Sequence, residues 1–361
     1  MKQLKTLGGV KPLICVDDRL VAARRNHVFM LTNGGKEPSN LCKLPEPIYM
    51  QLLDRIPLWY RIRRSGVNAA CRFNGDWYFC YRQHIYRVNQ QTHALATDFT
   101  FSKGRGPLKL SAIEGITGFD DCIAFGEYYN NPGKEPIRIF TKSCAGKWRV
   151  SYTFADGKIN HIHALVPDRF RNCVWILTGD FGDAAGIYQA TNNFSSVNAV
   201  LRGDQRYRAC VLFATNDGLI YGTDTQLADN AVMYAEESNG QWHAKPLYAL
   251  NGSCIYGCEL LDYYVFSTAT EPGIGKGKLV SLLDNRPAIG IKENRSDVVL
   301  LSMHDGTFRV AYSKQKDFWP YRLFQFGSIQ FPSGFNNSNR LYAYNTGSKV
   351  NDLSTEIWNI D

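Results

Sequence analysis

Ile123-Ala124-Phe125-Gly126-Glu127, Trp175-Ile176-Leu177-Thr178-Gly179-Asp180, Leu219-Ile220-Tyr221-Gly222-Thr223-Asp224 and Phe266-Ser267-Thr268-Ala269-Thr270-Glu271 are four versions of one local pattern. Each is a short β-rich run, then a small or Thr-containing step, then an acid. Successive acids are separated by 53, 44 and 47 residues, far more than one hairpin and about the length of a propeller blade. Equivalent acids from successive repeats would face one shared place.

The residues before each acid sharpen this reading. Turn-prone or polar residues interrupt two apolar runs in every repeat: Asp120-Asp121, Arg171-Asn172, Asn216-Asp217-Gly218 and Asp262. Folding each antiparallel pair about its turn brings Ile113 or Glu114 near Glu127, His163 near Asp180, Arg208 near Asp224 and Cys254 near Glu271. In a radial arrangement, His161, His163, Gln205, Arg208 and the four acids would crowd the mouth of one central channel.

Strand signals dominate the rest of the chain. The runs at 77–81, 137–140, 173–177, 219–222, 263–266, 298–301 and 340–344 are rich in β-branched and aromatic residues and bounded by Gly, Asn or Asp. Helical periodicity is confined to about residues 46–56. The expected class is all-β, a single β-propeller domain over 1–361. Repeats drawn at 66–105, 110–155, 157–201, 203–249, 250–291 and 294–327, with one blade closed by N- and C-terminal strands, give about seven four-stranded blades. Six or eight blades remain compatible, because the terminal segments are the least regular.

Of the 361 residues, 44% are apolar, which is ample for a packed core, and no tract is of low complexity. Residues 1–90 hold 15 Lys and Arg against 6 Asp and Glu, so the net charge of +8 resides entirely near the N-terminus. Its densest part, Trp59-Tyr60-Arg61-Ile62-Arg63-Arg64, suits phosphate, an acidic polymer or an anionic membrane surface, or is simply a solvated strip. No nucleic-acid motif accompanies it, so no nucleic-acid partner is expected. The ten cysteines form no dense framework, several lie inside apolar runs, and Cys254 and Cys258 lack the second pair of a zinc ribbon. No apolar run approaches the roughly twenty residues of a transmembrane helix, and no signal-peptide core precedes the first charges, so a cytoplasmic location is expected.

Two segments, Ile139-Phe140-Thr141-Lys142-Ser143-Cys144-Ala145-Gly146-Lys147-Trp148 and Met233-Tyr234-Ala235-Glu236-Glu237-Ser238-Asn239-Gly240-Gln241-Trp242, resemble degenerate Asp-box, or BNR, repeats of sialidase-like β-propellers. The Asp of that motif is absent here and the spacing is shortened. The resemblance implies the fold more than an activity, since such propellers include glycosidases, polysaccharide lyases and noncatalytic glycan-binding or scaffold proteins. The chain also resembles uncharacterised propellers associated with bacterial surface-polysaccharide synthesis, through GEY, HIH, TGD, GTDT and ATEP. That likeness implies a saccharide or polysaccharide intermediate as ligand and polysaccharide-assembly proteins as partners.

The chemistry open to these residues follows from their types. His161 and His163 share a strand face, and with Gln205, Asp180 or Asp224 they could bind a divalent metal such as Mn, Zn or Fe, or could be hydrogen-bonded residues of a polar channel. Glu127, Asp180, Asp224 and Glu271 could supply acid, base or nucleophile for glycoside hydrolysis, while His163 could take a proton from a uronic acid in a lyase. Arg208 would then neutralise a substrate carboxylate, with Tyr128 and Gln205 as further substrate contacts. The acids could equally serve only to join neighbouring blades. A sialidase is disfavoured because Arg138 and Arg208 lack a third arginine. The chain has no GxSxG elbow, Walker loop or HExxH motif, and Gly273-Ile274-Gly275-Lys276-Gly277-Lys278 reads as an exposed loop lacking the helix a phosphate site needs. The expected function is hydrolysis or elimination on a glycan, with a noncatalytic glycan-binding or assembly scaffold as the alternative.

Overall fold

In the computed structural model, which describes residues 1–17, 19–32, 38–273 and 282–360, one four-stranded antiparallel sheet recurs seven times. The class is all-β and the fold a β-propeller with seven four-stranded blades. Blade 1 spans residues 11–43, blade 2 67–100, blade 3 111–154, blade 4 161–202, blade 5 209–249 and blade 6 253–315. Blade 7 takes three strands from 328–359 and its fourth from Lys2–Gly8, which pairs with Ser354–Asn359. Two short helices, α1 (Ile48–Leu53) and α2 (Pro57–Ile62), separate blades 1 and 2. A third, α3 (Tyr321–Phe324), follows blade 6.

The number of blades agrees with the repeat length, but their division differs from the sequence reading. Residues 250–291 and 294–327 do not form two repeats. The strands Ser253–Glu259, Tyr263–Ala269, Arg295–Ser302 and Phe308–Gln315 pair in that order as one sheet. A long excursion between its second and third strands imitates a blade boundary. Residues 10–45 are likewise not a leftover but supply a whole blade. The glycine-rich 274–278 lie outside the described residues.

The blades sort into two compact units, one of residues 1–67, 225–230 and 250–361, the other of residues 68–224 and 231–249. Within each unit the core is a series of layers between adjacent sheets. Ile113, Ile139, Ile162, Leu165 and Ile176 pack blade 3 on blade 4, and Trp175, Leu177, Leu212 and Tyr221 pack blade 4 on blade 5. In the other unit Val298, Leu300, Leu341 and Ala343 do the same for blades 6 and 7. The second strands Cys122–Gly126 and Cys173–Gly179 are therefore buried on both faces, which explains their unbroken apolar runs. The fourth strand Gln241–Ala249 is largely exposed. No helix among the described residues is long and apolar enough to cross a membrane.

One irregularity recurs. In blades 1, 4, 5 and 6 the pairing of the first two strands shifts by a residue near its start, leaving Leu13, His163, Cys210 and Ile255 outside the ladder. These are β-bulges, which redirect side chains at strand ends.

Blade 7 makes the dependence on sheet pairing testable. Ending the chain at Asn339 removes both middle strands, Arg340–Thr346 and Ser354–Asn359, so we expect loss of a cooperative thermal transition. Leu341→Ala, which empties a fully buried site, should leave a cooperative transition destabilised by about 2–5 kcal/mol.

Candidate functional site

The strand His161–Asp168 opens blade 4, and the next strand returns so that His161 opposes Gly179. The bulge after Ile162 frees His163 from the ladder and brings the two imidazoles together, Nε2 to Nε2, at 3.0 Å. His163 Nδ1 lies 2.8 Å from the carbonyl oxygen of Ala209, on blade 5. A carbonyl only accepts, so Nδ1 carries the proton and Nε2 presents its lone pair. The ring packs so tightly over Gly179 that a Cβ there would sit 2.4 Å from His163 Cε1. Glycine at 179 is thus a condition of the histidine's placement.

Acids and a cation complete the cluster. His161 Nε2 stands 3.3 Å from Asp180 Oδ1. Arg208, paired across the hairpin with Asp224 through the Asp224 amide and its own carbonyl at 2.9 Å, reaches both carboxylates. Its Nη2 is 3.6 Å from Asp180 Oδ1 and 3.5 Å from Asp224 Oδ2, distances of ion contact rather than tight hydrogen bonding. Cys210 Sγ donates to Asp224 Oδ2 at 3.2 Å, and Gln205 Nε2 donates to the Asp180 carbonyl at 3.1 Å. His163, Arg208 and Asp224 are buried, whereas Tyr128 and Phe181 are 36% and 42% exposed. Tyr128 lies edge-on to the His161 ring at 4.6 Å and Phe181 lies under the Arg208 guanidinium at 5.4 Å. The cluster is therefore a polar floor with two aromatic side chains at its rim.

The electrostatics follow from burial and charge. Burial first, then His161 and Arg208, push His163 down to about 4 despite the opposing pull of Asp224, so it is neutral at physiological pH. Burial would raise Asp180, but its hydrogen bond to His161 and the nearby positive charge outweigh that and hold it at about 2. Burial and Asp224 together drive the Cys210 thiol well upward, keeping it protonated.

Two further acids expected at the same place have side-chain partners of their own. Glu127 is clamped by Arg138, accepting from its backbone amide at 2.8 Å, its Nε at 3.1 Å and its Nη2 at 2.8 Å. Glu271 belongs to the other unit, where the Ser253 hydroxyl donates to it at 2.6 Å. Ile113 opposes Cys122, not Glu127, because Asp121 closes the preceding loop by accepting from the Gly115 amide at 2.9 Å instead of forming its apex. Phe181, Cys210 and the Ala209 carbonyl were absent from the sequence reading. Adjacency to Asp180, and the i, i+2 relation of Cys210 to Arg208, are the signals that could have found the first two.

His161, His163 and Asp180 offer two imidazole nitrogens and a carboxylate oxygen within 4.8 Å of one another, as do His163, Cys210 and Asp224 with a thiol in place of one imidazole. The first set suits Mn, Fe or Zn. It also contains a buried His161 Nδ1 with no hydrogen-bond partner among the described residues. The second set contains a thiol, which would have to give up its proton to ligate a metal. Gln205 spends its amide nitrogen on the Asp180 carbonyl and so supports the first set from behind.

No protein-family model matches the chain, and no curated protein matches it in sequence. Solved structures do resemble it in fold. An oligogalacturonate lyase from Vibrio parahaemolyticus aligns at TM-score 0.60 and 10% identity, over 98% of this chain and 90% of its own. The AfRom2 CNH domain aligns at 0.55 and 7%, over 99% and 95%, and a chain of the mitotic checkpoint complex at 0.56 and 8%, over 100% and 96%. At such identities the likeness is one of fold alone.

The depressed His163 has a measurable signature. Between its ordinary value of 6.5 and about 4, the unfolded chain binds a proton that the folded chain refuses, so acidification through that window destabilises the fold, by up to about 3 kcal/mol. Asp180 works in the same direction only below the usual carboxylate range, losing its contribution as pH falls toward about 2. Denaturant titrations across the upper window should show a shallower pH dependence for His163→Gln than for the wild type. Gly179→Ala should behave like His163→Gln, because its Cβ displaces the ring.

Proposed function

We propose that the His161, His163, Asp180, Arg208 and Asp224 cluster binds a carboxylate-bearing saccharide and that the protein is a glycan-active propeller, cleaving its substrate by elimination in preference to hydrolysis. The observation that carries this reading is the neutral, buried His163, fixed by the Ala209 carbonyl and set beside both His161 and the Arg208 guanidinium. Arg208 is the group suited to a uronate carboxylate, and Tyr128 and Phe181 offer faces for sugar rings. Hydrolysis by paired carboxylates is the weaker reading, since Glu127 is clamped by Arg138 and Asp180 is held at about 2, too low for a general acid at neutral pH. The lyase named among the structural neighbours lends the reading a fold-level analogy.

A divalent ion held by His161 and Asp180 would supply charge stabilisation beside a uronate carboxylate, leaving His163 Nε2 to accept the proton that elimination removes. The chain's own groups then bind and orient: Arg208 neutralises the carboxylate, and the Ala209 carbonyl keeps the His163 lone pair turned inward. A second reading, a noncatalytic glycan-binding scaffold in polysaccharide assembly, is favoured by one observation. His163 at about 4 and Asp180 at about 2 are both far from the range in which proton transfer is efficient at neutral pH.

The test is incubation with polygalacturonate and other uronate oligosaccharides, with and without added Mn or Zn. Elimination creates a carbon–carbon double bond with ultraviolet absorbance, whereas hydrolysis creates reducing ends without it. We expect a metal-dependent rise in absorbance. Arg208→Ala should weaken substrate binding by about 2–5 kcal/mol, as when one partner of a buried charge pair is truncated. Binding without turnover, unchanged by metal, would support the scaffold; unaltered binding and turnover in both Arg208→Ala and His163→Ala would reject this site.

A further inference from the structure

The segment joining blades 1 and 2 turns its apolar side chains outward. Ile48 is 76% exposed, Tyr49 60%, Leu52 53%, Ile56 54% and Trp59 40%, all within α1, α2 and the turn between them. Water disfavours such a cluster, and a monomeric surface seldom carries one without use. The charges on the same segment are sorted by sign. Its exposed charged residues, Arg55 and Arg64, are both basic, while its two acids, Glu46 and Asp54, have side chains only 0% and 1% exposed and both face Arg63.

The helices are fixed in this attitude by a buried arginine. Arg61, on the inner side of α2, donates to the carbonyls of Phe324 at 2.6 Å and Gln325 at 3.2 Å and to Asp352 at 3.2 Å, and pairs with Asp317. Gln325 Nε2 returns a bond to the Arg61 carbonyl at 2.8 Å. The strip from Trp59 to Arg64 is thus not one solvated band: Arg61 and Arg63 are drawn inward by their partners and Arg64 alone of its arginines is exposed, beside the apolar residues.

Beside the helices lies a cavity of about 520 Å³ whose wall includes Arg24, Arg25, Arg55 and Tyr60. The three arginines are exposed and make no ion pair among the described residues, whereas the two acids of that wall, Asp54 and Asp352, are engaged by Arg63 and Arg61. A ligand there meets uncompensated positive charge next to an apolar ledge.

We infer that this face docks on an anionic lipid bilayer, with Ile48, Tyr49, Leu52, Ile56 and Trp59 entering the interface and Arg24, Arg25 and Arg55 receiving phosphate headgroups. Aromatic and aliphatic side chains backed by basic residues are the chemistry of interfacial helices, and each arginine near an anionic leaflet adds a roughly equal increment of attraction. Neither residue set belongs to the His163 cluster, and the inference stands or falls independently of the glycan reading.

The experiment is co-sedimentation of the full chain with vesicles of phosphatidylcholine alone and of phosphatidylcholine mixed with phosphatidylglycerol, without any saccharide. We expect binding to the mixed vesicles only, weakening with added salt, and a blue shift in tryptophan emission that Trp59→Phe removes. The triple variant R24E/R25E/R55E should lose affinity on the order of a hundredfold, the corresponding Arg→Lys triple should retain it, and I48S/L52S/I56S should abolish the emission shift. All these positions are exposed, so thermal transitions should match the wild type. Equal binding to neutral vesicles, binding to neither, or unaltered binding by R24E/R25E/R55E would overturn the inference. So would capture of soluble polygalacturonate by the same arginines in a chain that ignores the mixed vesicles.

Discussion

A β-sheet with apolar side chains on both faces is stable only when both faces are covered, here by neighbouring sheets, and that requirement governs this molecule. Strands such as Cys173–Gly179 are buried along their whole length because Ile176 and Val174 look toward blade 3 while Trp175 and Leu177 look toward blade 5. The core is therefore distributed as thin layers, each shared by two neighbours. Many of the buried polar side chains lie at or near strand ends, where the backbone leaves the ladder. Chemistry in this fold is accordingly assembled from the first and last residues of strands on adjacent blades.

The His163 cluster shows how such an assembly is made rigid without a dedicated loop. One hydrogen bond, from His163 Nδ1 to the Ala209 carbonyl, joins the opening strand of blade 4 to that of blade 5 and selects the tautomer at the same time. Gly179 supplies the space, and Arg208 sits between two carboxylates that would otherwise repel each other. Burial then drives His163 toward its neutral form, so an uncharged imidazole stands beside the Arg208 guanidinium and the Asp180 and Asp224 carboxylates in a small volume.

Much of this was legible in the chain because turns set register. Counting outward from Asn216-Asp217-Gly218 brings Arg208 to within one residue of Asp224, because the loop is short, and the bulge at Cys210 completes the match. The same counting fails for Glu127, where Asp120-Asp121 stand at the end of a longer loop, and at Ser253, where a bulge shifts the ladder. The seven sheets followed from periodicity, whereas the long connection inside blade 6 defeated it, because a pattern of apolar runs carries no mark of which run pairs with which. What could not be read was the role of backbone atoms. A carbonyl such as that of Ala209 has no signature in a one-letter code, and neither does the inward turn of Arg61, whose partners Phe324 and Gln325 are more than 260 residues away.

The recurring bulge near the start of blades 1, 4, 5 and 6 has an evolutionary meaning. In blades 4 and 5 its extra residue is His163 or Cys210, each joined to the polar cluster; in blades 1 and 6 it is Leu13 or Ile255, buried and inert. Because the bulged residue makes no contribution to the ladder, its identity can change while the pairing on either side is preserved. Substitution at a bulged position can therefore add or remove a reactive side chain in one blade without disturbing the sheet that carries it.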